Sequence, residues 1–354
     1  MKGVILSIIG IVVVSVILIS SLYAFRIIGP QNSNNGQGSN VNGGNSRMSA
    51  VLAYVVNSGS SNSLNGSVSV INTTTNNVIA TIGVGYYPVA IAVTPNGNYA
   101  YVVNEGGTIS VINTATNSVT ATIRVGGDPT GIAITPDGKY AYVATQDLGK
   151  VTVINTSTNT PIYNISVDSA PVGIAITPNG KYAYVTDSIT NKLTVINIST
   201  NKVVTNVSIN GIASTMYNLA ITPNGKYVYV PNNFAGGLVF VINTATNTET
   251  ANISIDIANE SSYPVDTAIT PNGRYVYVTD SGAASVSVIN TTTNSITAVI
   301  NVGIAPMGIA ITPNGEYAYV TNSERDTVSV INTATNTVVT NITVGAFPLR
   351  IAMT

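Results

Sequence analysis

The 354-residue chain contains no cysteine, no histidine and no tryptophan. Without cysteine there are no disulfides and no thiolate chemistry, so thiol usage says nothing of the redox compartment. Without histidine the chain lacks the commonest general base and the commonest transition-metal ligand. Charge is scarce too: 8% of residues are charged, against about 25% in an ordinary globular domain. With 13 basic and 14 acidic residues, net charge is -1, which excludes the broad basic footprint of a nucleic-acid binder. The charge poverty has two readings. One is a surface suited to acidic or glycosylated conditions, where titrating carboxylates would cost stability. The other is a repeat family in which Asn, Ser, Thr and Tyr stand in for charges. What the chain does have is apolar content, 45% of its residues, enough to bury a large core.

Three regions follow. Val4 to Phe25 is an almost unbroken apolar run of 22 residues between Lys2 and Arg26. As a helix it reaches about 33 Å, roughly one bilayer core. It is longer than the apolar part of a cleaved signal, and no A-x-A site follows it, so a retained helix is expected over residues 1–28, with its N-terminus inside. Residues 29–48 are rich in Gly, Asn and Ser and read as a flexible spacer. Residues 49–354 repeat. Six T-P-[ND]-G turns carry Pro95, Pro136, Pro178, Pro223, Pro271 and Pro313, and seven V-I-N segments end at Asn72, Asn113, Asn155, Asn197, Asn243, Asn290 and Asn332. Their spacing of 41 to 48 residues is that of propeller blades.

One repeat shows why. In Gly173 to Asp187, Ile174 and Ile176 alternate with Ala175, and Pro178-Asn179-Gly180 supplies a tight turn in which Pro presets φ and Gly takes a positive φ. Tyr182, Tyr184 and Val185 open a second strand, Leu193 to Asn197 a third and Val203 to Ile209 a fourth. Four short antiparallel strands and no helical period make a blade. The first repeat begins in its second strand, Val51 to Asn57, and has no T-P-N-G; Pro348 to Thr354 matches the missing first strand. The expectation is an all-β, seven-bladed propeller whose C-terminal strand completes blade one and removes the open edge.

These blocks, GIAITPNG, KYAYVTD and VSVINTATNTVV, resemble the YVTN-type propeller repeats of archaeal and bacterial surface-layer and cell-surface proteins. The resemblance covers nearly all of residues 49–354. It implies the fold and an extracellular compartment, and little chemistry. Lys2-Gly3 ahead of the long apolar helix resembles the start of archaeal type IV pilins, in which such helices pack into a filament core; here Ile8 stands where many pilins have Glu.

Strand order places the T-P-N-G and N-T-A-T-N turns on one face, nearly constant between repeats. The blade links and the loops after the Y-V-T-N strands fall on the other, which varies, with insertions at Ser58 to Gly66, Asn210 to Tyr217 and Asp256 to Tyr263. Loop variation marks the candidate binding face. Acidic candidates for carboxylate or calcium chemistry are Asp128, Asp168, Asp187, Asp266 and Asp280. Asp187 and Asp280 take the slot of Asn104, Asn232 and Asn322, a turn-capping pattern. No matched acid and base stands out, so no catalytic residue, cofactor or metal ligand set is assigned. N-x-[ST] sequons are numerous, and those at Asn164, Asn206, Asn252 and Asn341 share one position on the outermost strand, where glycans would cover exposed edges. The paired tyrosines, such as Tyr182 and Tyr184, read as packing between blades.

The functional expectation is a non-enzymatic extracellular structural protein, a subunit of a pilus-like surface filament or surface layer. The alternative is a membrane-tethered adhesion module whose variable face meets a cell-surface protein or glycan. The helix would associate with copies of itself or with lipid.

Overall fold

The computed structural model describes residues 51–59, 65–167, 170–209, 218–233, 236–256 and 262–354. The expected N-terminal helix and spacer, Asp168, the insertion at 210–217 and the central parts of those at 58–66 and 256–263 lie outside the described residues.

A blade grows from alternation. In blade two, β4 (Pro88–Val93), β5 (Tyr99–Asn104), β6 (Thr108–Asn113) and β7 (Ser118–Arg124) pair in sequence order. The middle strands are buried on both faces, whereas β7 is mostly exposed. That gradient follows from stacking: a middle strand is covered above and below by neighbouring blades, and so reads as a near-continuous apolar run. Among the described residues 28 strands, β1–β28, form seven such four-stranded antiparallel sheets.

The inner strands stand side by side around one axis. After β4 come β8 (Pro129–Ile134), β12 (Pro171–Ile176), β16 (Ala220–Ile221), β20 (Pro264–Ile269), β24 (Pro306–Ile311) and β28 (Pro348–Met353), and β28 returns to β4. Closure is as expected: β28 pairs with β1 (Leu52–Asn57), which pairs with β2 (Asn65–Asn72) and then β3 (Asn77–Tyr86). Leu52 N donates to Thr354 Oγ1 at 2.9 Å and Thr354 N to Leu52 O at 3.0 Å. Seven apolar clusters hold the ring, one between each pair of neighbouring blades. Between blades two and three, Tyr101, Val103, Ile109 and Val111 meet Ile132, Ala141, Val143 and Ile154.

Each V-I-N segment hides a bulge. In all seven blades the register between third and outer strand slips between its Val and Ile, from Val70/Ile71 to Val330/Ile331. Two residues there oppose one, which sharpens the local twist.

The expected division into faces holds. Thr114 N donates to Asn98 O at 3.0 Å, joining the two turns of blade two on one face, and Val125 N donates to Gly107 O at 3.0 Å, joining link and loop on the other.

Candidate functional site

The turn face is built from one repeated unit. The glycine of each T-P-[ND]-G turn has φ between 67° and 75°, a region open to glycine. The V-I-N asparagine caps the next turn: Asn113 Oδ1 accepts from Ala115 N at 3.0 Å and Thr116 N at 3.1 Å. The last Asn of that turn is left-handed in all seven blades, at Asn76, Asn117, Asn159, Asn201, Asn247, Asn294 and Asn336.

Its amide oxygen has a partner one blade away. Tyr54 Oη donates to Asn117 Oδ1 at 2.8 Å, Tyr101 to Asn159 at 2.6 Å, Tyr142 to Asn201 at 2.6 Å and Tyr184 to Asn247 at 2.7 Å. Tyr229 donates to Asn294 at 2.9 Å and Tyr277 to Asn336 at 2.7 Å, and Tyr319 closes the ring on Asn76 at 2.6 Å. Burial pushes all seven hydroxyls up to about 12, so they remain donors. Inter-blade packing of these tyrosines was expected. The hydroxyl partner was not, although Tyr and Asn recur at fixed offsets in every repeat.

At the axis the repeat breaks. The third position of the inner strand holds Ala90, Gly131, Gly173 and Gly308 in four blades, and Asn218, Asp266 and Arg350 in the other three. These three meet. Arg350 Nη1 lies 3.3 Å from Asp266 Oδ2, and Asn218 Nδ2 donates to Asp266 Oδ1 at 2.9 Å. Thr267 N and Ile309 N also donate to the carboxylate, at 2.8 and 3.2 Å. Arg350 Nη1 donates in addition to Met307 O at 3.3 Å. Gly308 lets β24 and β28 approach closely, since a Cβ there would stand 2.5 Å from Leu349 O and 2.8 Å from Arg350 Cα. Asp266 is 3% exposed, and burial pushes its carboxyl up against the opposing pull of Arg350 and three donors. Of the described acidic candidates only Asp266 is drawn into such a cluster. Arg350 and Asn218 were missed; the signal was polarity at a position otherwise held by Gly or Ala.

The other candidates separate. Asp187 Oδ2 accepts from Ala170 N at 2.9 Å and Oδ1 from Ile189 N at 2.8 Å and Thr190 N at 2.7 Å. Asp280 Oδ1 accepts from Tyr263 N, Gly282 N and Ala283 N. Both cap loops, as expected. Asp128 lies on the link face near Asp147, whose Oδ1 accepts from Asp128 N at 2.8 Å. Burial, then Asp128, pushes Glu105 up to about 7; burial, then Asp147, pushes Asp128 up. Among the described residues no group of three or more acidic side chains is disposed to hold a metal ion. Asn164, Asn206, Asn252 and Asn341 are all exposed on outer strands.

The fold and its repeating unit define a seven-bladed β-propeller repeat protein. Residues 174–203 match the LVIVD repeat, and residues 55–175 match the cytochrome D1 heme domain. Among solved structures, hydrazine synthase of Kuenenia stuttgartiensis is similar with a TM-score of 0.71 at 26% identity, covering 76% of this chain and 90% of that one. A protein from Bacteroides fragilis provisionally assigned as a 6-phosphogluconolactonase gives 0.71 at 21% identity, over 88% of this chain and 99% of that one. A protein of unknown function from Desulfotomaculum acetoxidans gives 0.72 at 19% identity, over 86% and 99%. The last two likenesses concern the fold alone. No curated protein matches the sequence.

The haem named in the matched family does not fit this donor set. Protein ligands to haem iron are His, Cys, Met or Tyr. Residues 55–175 contain no His, Cys or Met; of their seven tyrosines, Tyr101 and Tyr142 have buried hydroxyls held by asparagines, and Tyr86, Tyr87, Tyr99, Tyr140 and Tyr163 lie partly or fully exposed at the surface.

Proposed function

We propose that the chain is a non-enzymatic extracellular surface protein: a propeller displayed by its N-terminal apolar segment, as a subunit of a filament or surface layer. The observation that carries this reading is the use to which the repeated polar groups are put. Every tyrosine–asparagine pair joins two blades, Asp187 and Asp280 cap loops, and Asp266 is neutralised by Arg350. These groups support a rigid ring, and a shared propeller scaffold does not carry the activities of its neighbours with it.

The chain enters at Val51 and ends at Thr354, both beside the turn face, where Thr73 N donates to Val51 O at 3.1 Å. Glycans on Asn164, Asn206, Asn252 and Asn341 would shield the exposed edges of their blades. The test is electron microscopy of the shear-released surface fraction, with the N-terminal peptide read by mass spectrometry from the same sample. Filaments containing this chain with its apolar segment retained are expected. Recovery from detergent-extracted membranes alone would overturn the filament and leave a tethered display module.

The adhesion reading rests on Arg350. Among the described residues only its Nη1 is engaged, and its side chain keeps 15% exposure. Its remaining donors suit a carboxylate or phosphate group on a partner at the axis.

A further inference from the structure

The turn face carries grooves between consecutive blades. One, of about 500 Å³, lies between blades three and four and is lined by Pro136, Asp137, Tyr140, Pro178, Asn179 and Ser199. Another, of about 430 Å³, lies one blade back and is lined by Pro95, Asn96, Tyr99, Asp137, Gly138 and Thr156. Both fall within the range of small-molecule sites, about 300–1,000 Å³. Tyr99 is 38% exposed and Tyr140 is half-buried. Each groove thus offers an accessible aromatic ring among amides, hydroxyls and prolines.

Asp137 borders both grooves, and it departs from the repeat. Its position is held by Asn96, Asn179, Asn224, Asn272 and Asn314 in the sister turns. The turn itself needs one side-chain oxygen. Asp137 Oδ1 accepts from Thr135 Oγ1 at 2.6 Å and Lys139 N at 3.1 Å, just as Asn96 Oδ1 accepts from Thr94 Oγ1 and Asn98 N. The second oxygen is surplus to the turn. It meets only Lys139 Nζ, at 3.4 Å in a solvent-exposed pair, which holds it weakly.

A ligand for this lining must present an apolar face to tyrosine and hydroxyl donors to a carboxylate and amides. An anion would meet Asp137, and Asp137 is the one acidic side chain in either lining, too little to hold a cation at an exposed site. The geometry points to neutral saccharide binding in the two grooves flanking Asp137, with the sugar ring on Tyr99 or Tyr140 and a hydroxyl donating to Asp137 Oδ2. The inference requires neither the N-terminal helix nor a filament, so the two can fail separately.

The test is saturation-transfer NMR on the full chain in a sugar-free detergent, with neutral trisaccharides of glucose, mannose and N-acetylglucosamine as probes. Transfer to the ring protons of at least one is expected. It should vanish in Tyr99→Leu/Tyr140→Leu, which copies Leu52 at the same strand start in blade one. Asp137→Asn, which copies the sister turns and preserves the fold, should weaken binding about tenfold, as for loss of a charge-assisted hydrogen bond. No transfer from any probe would overturn the inference. So would transfer that survives the double variant with an unchanged melting curve, or affinity unaltered by Asp137→Asn.

Discussion

On the turn face one blade can stand for another: the same capping Asn and the same left-handed Asn return in all seven blades, and six share the Thr-Pro-x-Gly turn, which in blade one gives way to the seam between Leu52 and Thr354. On the link face the slot ending the second strand is filled by Asn57, Asn104, Thr145, Asp187, Asn232, Asp280 and Asn322 in turn. The difference lies in where the hydrogen bonds go. The turn-face tyrosines bond to the left-handed Asn of the next blade, so a change in one blade breaks a contact with another. The bonds of the link-face slot residues stay within their own blade and its incoming link, so each can co-vary locally. Asn104, Asn322 and Asn57 press on Gly85, Gly303 and Gly345, where a Cβ would come within 2.6, 2.5 and 2.6 Å of the asparagine. With Thr145 in the slot the contact moves one residue on: Gly126 is left-handed and meets nothing, and a Cβ on Gly127 would come within 2.7 Å of Thr145 Cγ2.

The sharpest break in that comparison is at the axis. Arg350→Ala leaves Asp266 buried without its counter-ion and should cost about 3–5 kcal/mol in denaturant unfolding. Asp266→Ala/Arg350→Ala, closer to the small residues of the sister blades, should recover most of that loss. On the link face, Gly303→Ala should cost about 1–3 kcal/mol through overpacking against Asn322. Adding Asn322→Thr, as at Thr145, should return part of it by shortening the opposing side chain. On the turn face, Asn→Ala at any left-handed Asn should cost about 1–2 kcal/mol, with the same value in every blade. Tyr277→Phe should cost about 1 kcal/mol, because it removes the hydroxyl alone. Unequal losses between blades would show that the blades are not interchangeable.

The smallest effect is one of pH. Glu105 is pushed up to about 7 in the folded chain from 4.5. A raised carboxyl binds its proton more tightly when folded, so its stabilising contribution is full below about pH 4.5 and is lost as pH rises through about 7. Glu105→Gln should melt like the parent in acid and be more stable by about 1 kcal/mol at alkaline pH, after allowance for solvent screening.

Repetition made the fold readable. The Pro-Asn-Gly turns and V-I-N strands fix blade number, strand order and closure by Pro348 to Thr354 before any coordinate is known. The bulge inside V-I-N was not readable, because alternation cannot tell one opposing residue from two. The tyrosine ring was visible as packing, but its hydroxyl partner sits 58 residues away for Tyr101 and Asn159, so only closure of the ring brings the two together. At the axis Asp266 stood out by its charge. Its partners did not, since Asn218 and Arg350 belong to different blades and meet it only across the central channel. Asp187 and Asp280 were legible as caps because sister blades place Asn in the same slot; of those asparagines Asn322 accepts from its incoming link through Oδ1, from Gly303 N.

The seam in blade one has a mechanical side. A pull transmitted through the chain ahead of Val51 acts along β1, which is flanked by β28 on one side and β2 on the other, both antiparallel to it. Such a load slides β1 lengthwise against two ladders at once rather than peeling one bond after another. A load applied there would be met in shear, the arrangement in which a short strand resists most, with the first blade as the clamp.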